Sequence, residues 1–506
     1  MAGGWPRDDA RALRLIQDFG RAGIAFQALG RGLQHWFDQR NGRDRGVVAY
    51  FDTGSAWVSA GEPIAAFGDS ISVAEAFVDA AQACGRRVGF FATEGILASS
   101  PRFRRLQIGE QPVWDPARWG DDIRTHKSMR EQLRRARAKG VIARALSVDE
   151  YGDTDVDTDV DADVDTPVDL RVDMRVDMHV VGQVDQKSKT RATLDALIRR
   201  WHAARPLAPM HFIVDMAPFD HATHRRVYVA EREGAVVAML SLAPVPARDG
   251  WLFEHLLRDP RAPNGTAELL VDHVMRALDD EGVHWVTLGL APLSGDVNRW
   301  LRLTRQLSRP FFNFTGLAAF KRKLRPNAWE PMYLAFPREQ NGAVALMESL
   351  RAFADGSLLR FGFATALRGP APLLRALEWL LVPWTLALAF APTDPWFPSI
   401  AIHAAWVGFD IALIGALRAQ RRTGNARLAR AVAIAVSLDA LLTTVQAVWW
   451  NAPRAHHALD VIAMIVACAG PLITAPVLWG AVRRLQVLGA GLSSGITQRR
   501  DKRTRG

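Results

Sequence analysis

The sequence predicts an α/β protein of the α+β kind: two similar mixed halves, followed by an all-α domain of four transmembrane helices. Three observations carry this reading. Helical and strand periods alternate through the first part of the chain. The order of elements recurs on either side of a Val/Asp-rich segment. Beyond about residue 370 the composition turns apolar in four long runs.

In the first half, "VVAYF" and "AWVSA" flank the turn residues Asp52–Gly54 and read as a hairpin. "SVAEAFVDAAQACGRR" has helical period and ends at Gly85, before the apolar strand "VGFFAT". "SMREQLRRARAKG" reads as a strongly basic helix stopped by Gly140. In the second half, "TRATLDALIRRWHAAR" reads as a helix. "RVYVAER", "AVVAMLSLAPV" and "WLFEHLLRD" read as strands, "NGTAELLVDHVMRALDDEG" as a helix and "HWVTLGLA" as a strand. Between the halves, "DTDVDTDVDADVDTPVDL…" alternates Val and Asp. As a strand it would have one face of self-repelling carboxylates, so it reads as a disordered insert. It lacks the glycine and distal glutamate of a calcium loop, and no metal site is expected. The expected organisation is residues 12–148 and 188–338 for the halves, 149–187 for the insert, 339–370 for a linker, 371–484 for the membrane domain and 485–506 for a basic cytoplasmic tail.

The chain has 506 residues and a formal net charge of +10, which favours anionic partners such as RNA or anionic lipid. Two cysteines do not make a disulfide framework. The N-terminus "MAGGWPRDDARALRLIQDFG" has no apolar core and reads as no cleavable signal peptide.

The apolar runs, 373–391, 399–417, 428–450 and 458–482, each approach the roughly 20 residues that span a bilayer. "RAQRRTGNARLAR" joins the second and third runs, and "RDKRTRG" closes the chain, whereas "PTDPWFPS" between the first two has no Lys or Arg. The positive-inside rule then puts both ends of this domain, and the large N-terminal part, in the cytoplasm. Asp410 and Asp439 fall inside the second and third runs, with His403 seven residues before Asp410. They read either as a polar path for a lipid headgroup or as a polar clasp between helices.

Several residues are candidates for chemistry. "FFNFTGLAAFKRKLRPNAW" interleaves aromatics with cations, a pattern that grips a polyanion or that lines a helix with a solvated basic face. Its candidates for phosphate are Asn313, Lys321 and Lys323. Arg130, Arg134, Arg135 and Lys139 lie on the basic helix and read as phosphate ligands or as a solvated face. Gln27-Ala-Leu-Gly30-Arg-Gly32 matches the Q-x-x-G-x-G acyl-CoA loop, but that loop needs a strand before it and a helix after it. Here a helical pattern precedes it, so the match reads as chance.

"FGRAGIAFQAL", "GVVAYFDTGSAWVSAGEPIA", "RRLQIGEQPVWDPARW", "MREQLRRARAKG", "RAPNGTAELL", "LGLAPLSG" and "FFNFTGLAAFKRKLRPNAWEPMYLAFP" occur in order. Over roughly residues 12–338 this set resembles the C-terminal catalytic domain of bacterial phosphatidylglycerol lysyltransferases, the aminoacyl-phosphatidylglycerol synthases. The resemblance implies tandem GNAT-like acyltransferase folds. It also implies transfer of an amino acid from aminoacyl-tRNA to a lipid headgroup hydroxyl, with no cofactor. The implied partners are aminoacyl-tRNA and the anionic phospholipid of the inner leaflet, and the implied location is the bacterial plasma membrane. In that family the membrane helices usually precede the catalytic domain; here they follow it, and Met332 stands where a basic residue is expected. Within this frame Glu268, in "APNGTAELL", reads as ammonium anchor or general base, with pairing to the helix dipole as the rival role. Arg258 and Asp259 end the preceding strand and are expected to face the same cleft. An acyl-CoA-dependent N-acyltransferase and a non-catalytic lipid- or tRNA-binding protein are the alternative functions.

Overall fold

The computed structural model describes residues 7–152, 178–307 and 312–503. Residues 153–177, most of the Val/Asp-rich insert, lie outside the described residues, as does Phe311; the helix Met178–Ala204 begins within the insert's last residues. The chain divides into two compact units. The first holds Met1–Trp201, Met210–Leu307 and Asn313–Ser357, and Leu358–Gly506 forms most of the second.

The first unit is a mixed α/β domain on a 13-stranded sheet that resembles GNAT-like folds. Its strands are β1 (Gln34–Arg40), β2 (Arg43–Asp52), β3 (Ala56–Ala60), β4 (Ile64–Ala65), β5 (Arg87–Thr93), β6 (Phe103–Trp114) and β7 (Val141–Leu146). There follow β8 (Arg226–Arg232), β9 (Ala235–Val245), β10 (Gly250–Arg258), β11 (Val286–Thr287), β12 (Ala291–Pro292) and β13 (Ala328–Pro337). The order across the sheet is β1-β2-β3-β5-β13-β6-β11-β10-β9-β8-β7.

That order contains an exchange. In the first half β3 runs parallel to β5, and the helix Ser70–Ala83 makes the crossover. In the second half β10 runs parallel to β11 across the helix Thr266–Asp280. The strand beside β5 is β13, from the far end of the second half, and the strand beside β11 is β6, from the first half. Both are antiparallel to their neighbours, and they pair with each other from Ala328↔Val113 to Pro337↔Phe103. Each half is thus completed by a strand of the other.

Most sequence-based elements stand within a few residues, including the hairpin, the helix Ser70–Ala83, the basic helix Lys127–Ala138 and the strands β8 to β10. Three differ. The strand expected over "HWVTLGLA" is broken into the two-residue pieces β11 and β12, with Gly289 between them at φ +64°. The linker expected over 339–370 is helical at Gly342–Phe353 and Leu358–Ala366. The first of these is capped by the Asn341 side chain and buries Ala345 and Ala352 in the core. Met332, where a cation was expected, is fully buried in that same core.

The second unit contains four helices long and apolar enough to cross a membrane: Ala371–Ala389, Ile400–Thr423, Ala426–Arg454 and Ala458–Gly489. Their faces exposed in the structure carry large apolar side chains such as Trp379, Phe390, Trp449 and Ile473, which suit contact with lipid chains.

The exchange makes a prediction. Residues 1–152 and 178–357, produced separately, should each lack a cooperative thermal transition by circular dichroism, because each lacks a central strand. A cooperative transition in either fragment alone would contradict the exchange as a folding requirement.

Candidate active site

Glu268 sits in the first turn of the helix Thr266–Asp280 and is buried. The glycine of "PNG" explains how it gets there. Gly265 holds φ +92°, and a Cβ on it would lie 2.3 Å from the Gln132 carbonyl oxygen, so only glycine lets this helix start against the basic helix. The Lys323 ammonium donates to Glu268 Oε1 at 2.6 Å. The candidate acid and one candidate phosphate ligand therefore meet each other, and they join "APNGTAELL" to the aromatic-basic stretch.

Lys321 has another occupation than phosphate. It is 4 % exposed, and its Nζ donates to the carbonyls of Leu288, Gly289 and Leu290 at 2.8, 2.8 and 2.9 Å. Three acceptors match the three protons of an ammonium, while burial pushes its pKa down to about 7. This clamp is also why "LGLAPL" is not one continuous strand: its carbonyls turn to a lysine rather than to a neighbouring strand. Asn313 likewise has a structural task, accepting the Gly316 N–H at 2.8 Å to cap the helix Phe314–Lys323.

Asp259 is buried and tied to Arg200 at 2.6 Å, and it also accepts the Arg261 N–H. Arg258 donates to the Ala262 carbonyl at 3.2 Å. Both shape the loop that leads to Gly265; neither contacts Glu268 through a hydrogen bond among the described residues. On the basic helix, Arg134 and Arg135 both grip Glu131, whose carboxyl they hold down at about 2. Lys139 caps the end of this helix with its backbone N–H. Among the described residues Arg130 has no carboxylate partner.

A second cluster escaped the sequence reading. A bulge between Phe253 and His255 breaks the alternation of β10 and brings Glu254 and His255 to one small cavity. Arg225 and Glu254, each with a 7 % exposed side chain, form an ion pair, and Gln27 Nε2 donates to Glu254 at 3.3 Å. His255 Nε2 meets the Asp215 carbonyl at 3.1 Å, which makes Nε2 the N–H donor and leaves Nδ1 to accept the Ser241 hydroxyl at 2.8 Å. Burial, and then the Arg225 charge, push His255 down to about 4, so the ring is neutral at pH 7. The cavity, about 20 Å³, has room for one water-sized group, and Gln27 Oε1 is buried beside it without a hydrogen-bond partner among the described residues. Gln27 thus joins a polar site, although its loop lacks the acyl-CoA setting: Gln27 lies within the short helix Ala25–Leu29, and β1 follows. The signal was available as adjacent Glu and His in the apolar "WLFEHLL".

A third, half-buried group gathers around the buried Gln111 of β6. Glu94 accepts from Gly23 N, Gln111 Nε2 and Arg248, and Gln111 also donates to Glu330 at 2.8 Å. Glu62 accepts three backbone N–H groups, of Glu94, Gly95 and Ile96, and burial pushes its carboxyl up to about 7. No group of three or more His, Cys, Asp or Glu able to hold a metal occurs among the described residues.

In the second unit, Asp410 and His403 share a buried face of the helix Ile400–Thr423. Thr385, on the preceding helix, approaches Asp410 at 3.4 Å, whereas Asp439 accepts from Thr443 of its own helix at 3.0 Å. His403 Nε2 donates to the Leu388 carbonyl and its ring stacks on Phe397. An ion pair that the sequence did not suggest, Arg421 to Glu378 at 3.0 Å, links two of the apolar helices.

The first unit has a GNAT-like fold, and the same chain carries four helices long and apolar enough to cross a membrane. Residues 174–336 match the family model described as "Phosphatidylglycerol lysyltransferase, C-terminal". The matched segment contains Glu254, His255, Glu268, Lys321 and Lys323. Two solved structures share the fold. The C-terminal domain of a putative lysylphosphatidylglycerol synthetase from Agrobacterium fabrum is 22% identical, with TM-score 0.52 over 69% of this chain and 97% of its own. L-PGS from Bacillus licheniformis is 17% identical, with TM-score 0.53 over 70% of this chain and 99% of its own. No curated protein matches the chain.

Lys321→Met tests the clamp. It leaves three buried carbonyls without a donor, each costing about 1–3 kcal/mol. The thermal midpoint of the first unit should fall by several degrees in calorimetry of the full chain. An unchanged midpoint with weakened anion binding would return Lys321 to phosphate recognition.

Proposed function

We propose that the protein transfers an amino acid from aminoacyl-tRNA to a hydroxyl of phosphatidylglycerol or a related lipid headgroup. The observation that carries this reading is the lysyltransferase match over 174–336, in the same chain as four apolar helices of membrane-spanning length. An enzyme whose acceptor is a lipid benefits from such tethering, because its substrate is then confined to the same surface.

The chemistry needs little activation. An aminoacyl ester already carries a good acyl donor, so the lipid hydroxyl oxygen attacks its carbonyl carbon directly. The new ester bond forms, the bond to the tRNA ribose oxygen breaks, and the hydroxyl proton ends on that ribose oxygen. A positioned carboxylate accelerates this by taking the proton and handing it on. Glu268 is our candidate for that group, with Lys323 holding it in place. The Gln27–Glu254 cavity suits the amino acid's ammonium, which is about the size of a water and needs acceptors such as Gln27 Oε1. Orientation of the two substrates supplies much of the remaining rate.

Two outcomes test the reading. In transfer of labelled amino acid from charged tRNA to phosphatidylglycerol vesicles, Glu268→Gln should lower turnover about 100–10,000-fold while tRNA and lipid binding persist. Normal turnover in the folded variant would remove Glu268 from the site. Transfer from coenzyme A thioesters instead would favour the acyl-CoA enzyme, and binding without turnover the non-catalytic protein. The orientation follows from the basic loops: a fusion after 397 should report outside the cytoplasm and one after 424 inside. The reverse pattern would separate the catalytic unit from cytoplasmic tRNA.

A further inference from the structure

Asp272 is a buried carboxylate that the proposed chemistry does not use. It is 1 % exposed and lies on the helix Thr266–Asp280. Its Oδ1 accepts from the Trp119 indole at 3.0 Å and from Arg276 at 3.1 Å, and its Oδ2 accepts from Arg137 at 3.0 Å. One buried charge therefore fixes two guanidiniums from two helices. Both arginines stay more than half exposed, at 58% and 53%. Their outer N–H groups line an open pocket of about 530 Å³, together with Arg130 and Arg134.

Four guanidiniums and no carboxylate line this pocket, so its occupant is an anion. The floor is apolar, made by Ile123, Leu133 and Ala138. No aromatic side chain lines it, so it offers no stacking platform for a nucleotide base. Forked donors gathered at one open pocket suit a single phosphate, whereas a nucleic-acid backbone is met by a long basic groove. The volume falls in the range of small-ligand sites, about 300–1,000 Å³.

We propose that this pocket binds the phosphate of an anionic glycerophospholipid, with the start of its apolar part against Ile123 and Leu133. Arg137 and Arg276 are the primary ligands, Arg130 closes the third side, and Asp272 is a positioning residue that holds the first two. The inference deepens the transferase reading by giving the lipid acceptor a place, and its test is a binding measurement that stands whether or not transfer occurs.

The test is titration calorimetry on the detergent-purified full chain. Dihexanoyl phosphatidylglycerol should bind saturably, dihexanoyl phosphatidylcholine at least tenfold more weakly, and the exposed double variant Arg137→Gln/Arg276→Gln should lose at least tenfold in affinity for the former. Asp272→Asn should weaken binding less than the double variant, since the arginines remain but lose their anchor. Should Asp272→Asn fail to fold, the double variant alone decides. Wild-type affinity in the double variant would overturn the proposal. So would equal affinity for acyl-free glycerophosphoglycerol, which would assign the site to a free phosphate. Loss of tRNA binding with phosphatidylglycerol binding intact would assign it to RNA. Intact, arginine-dependent lipid binding in a chain that transfers nothing would support this inference and count against the transferase.

Discussion

The pairing of β13 with β6 is the constraint on which the first unit depends. These strands come from opposite ends of the unit, yet they lie side by side at its centre and complete each other's halves. Their closeness places whatever precedes β13 beside whatever surrounds β11. What precedes β13 is the helix Phe314–Lys323, and Trp114 at the end of β6 donates to the Leu324 carbonyl just beyond it. The exchange therefore delivers this helix to the candidate site.

That helix explains why separate sequence blocks act together. Lys321 clamps the carbonyls of "LGL", and Lys323 pairs with the glutamate of "APNGTAELL". Gly265, in the same block, allows the helix that carries Glu268 to start against the basic helix, and that basic helix supplies three of the four arginines of the proposed anion pocket. A buried charge with all its bonds made fixes geometry better than an apolar contact does, because any shift leaves an unpaired polar group in low dielectric. Lys321 and Asp272 each serve that purpose at a different point of this arrangement.

Legibility in the sequence followed locality. The hairpin of β2 and β3 and the helix Thr266–Asp280 announce themselves through period and turn residues. β6 and β13 do not, since Pro112 and Pro331 interrupt runs that would otherwise read as central strands. β1 was hidden by the polar "QHWFDQR". Among site residues, the motif position of Glu268 was readable, but its partner Lys323 lies 55 residues away and was read only as a phosphate ligand. Lys321 and Asn313 were read as phosphate ligands, and their structural contacts were not legible, because a lysine's burial and an asparagine's capping bond depend on contacts that local pattern does not encode. The Arg225–Glu254–His255 group needed the bulge in β10, which no alternation rule predicts. The charge asymmetry between the apolar runs was plain from the sequence, whereas the Glu378–Arg421 pair needed the packing of two helices.

Lipid mass spectrometry tests the central claim most directly. Extracts would be compared between cells carrying the gene and cells lacking it. The account predicts a phosphatidylglycerol-derived species heavier by one aminoacyl residue, present only with the gene and lost when Glu268 is replaced by Gln. Identical lipid profiles in the presence and absence of an expressed, membrane-inserted protein would contradict it.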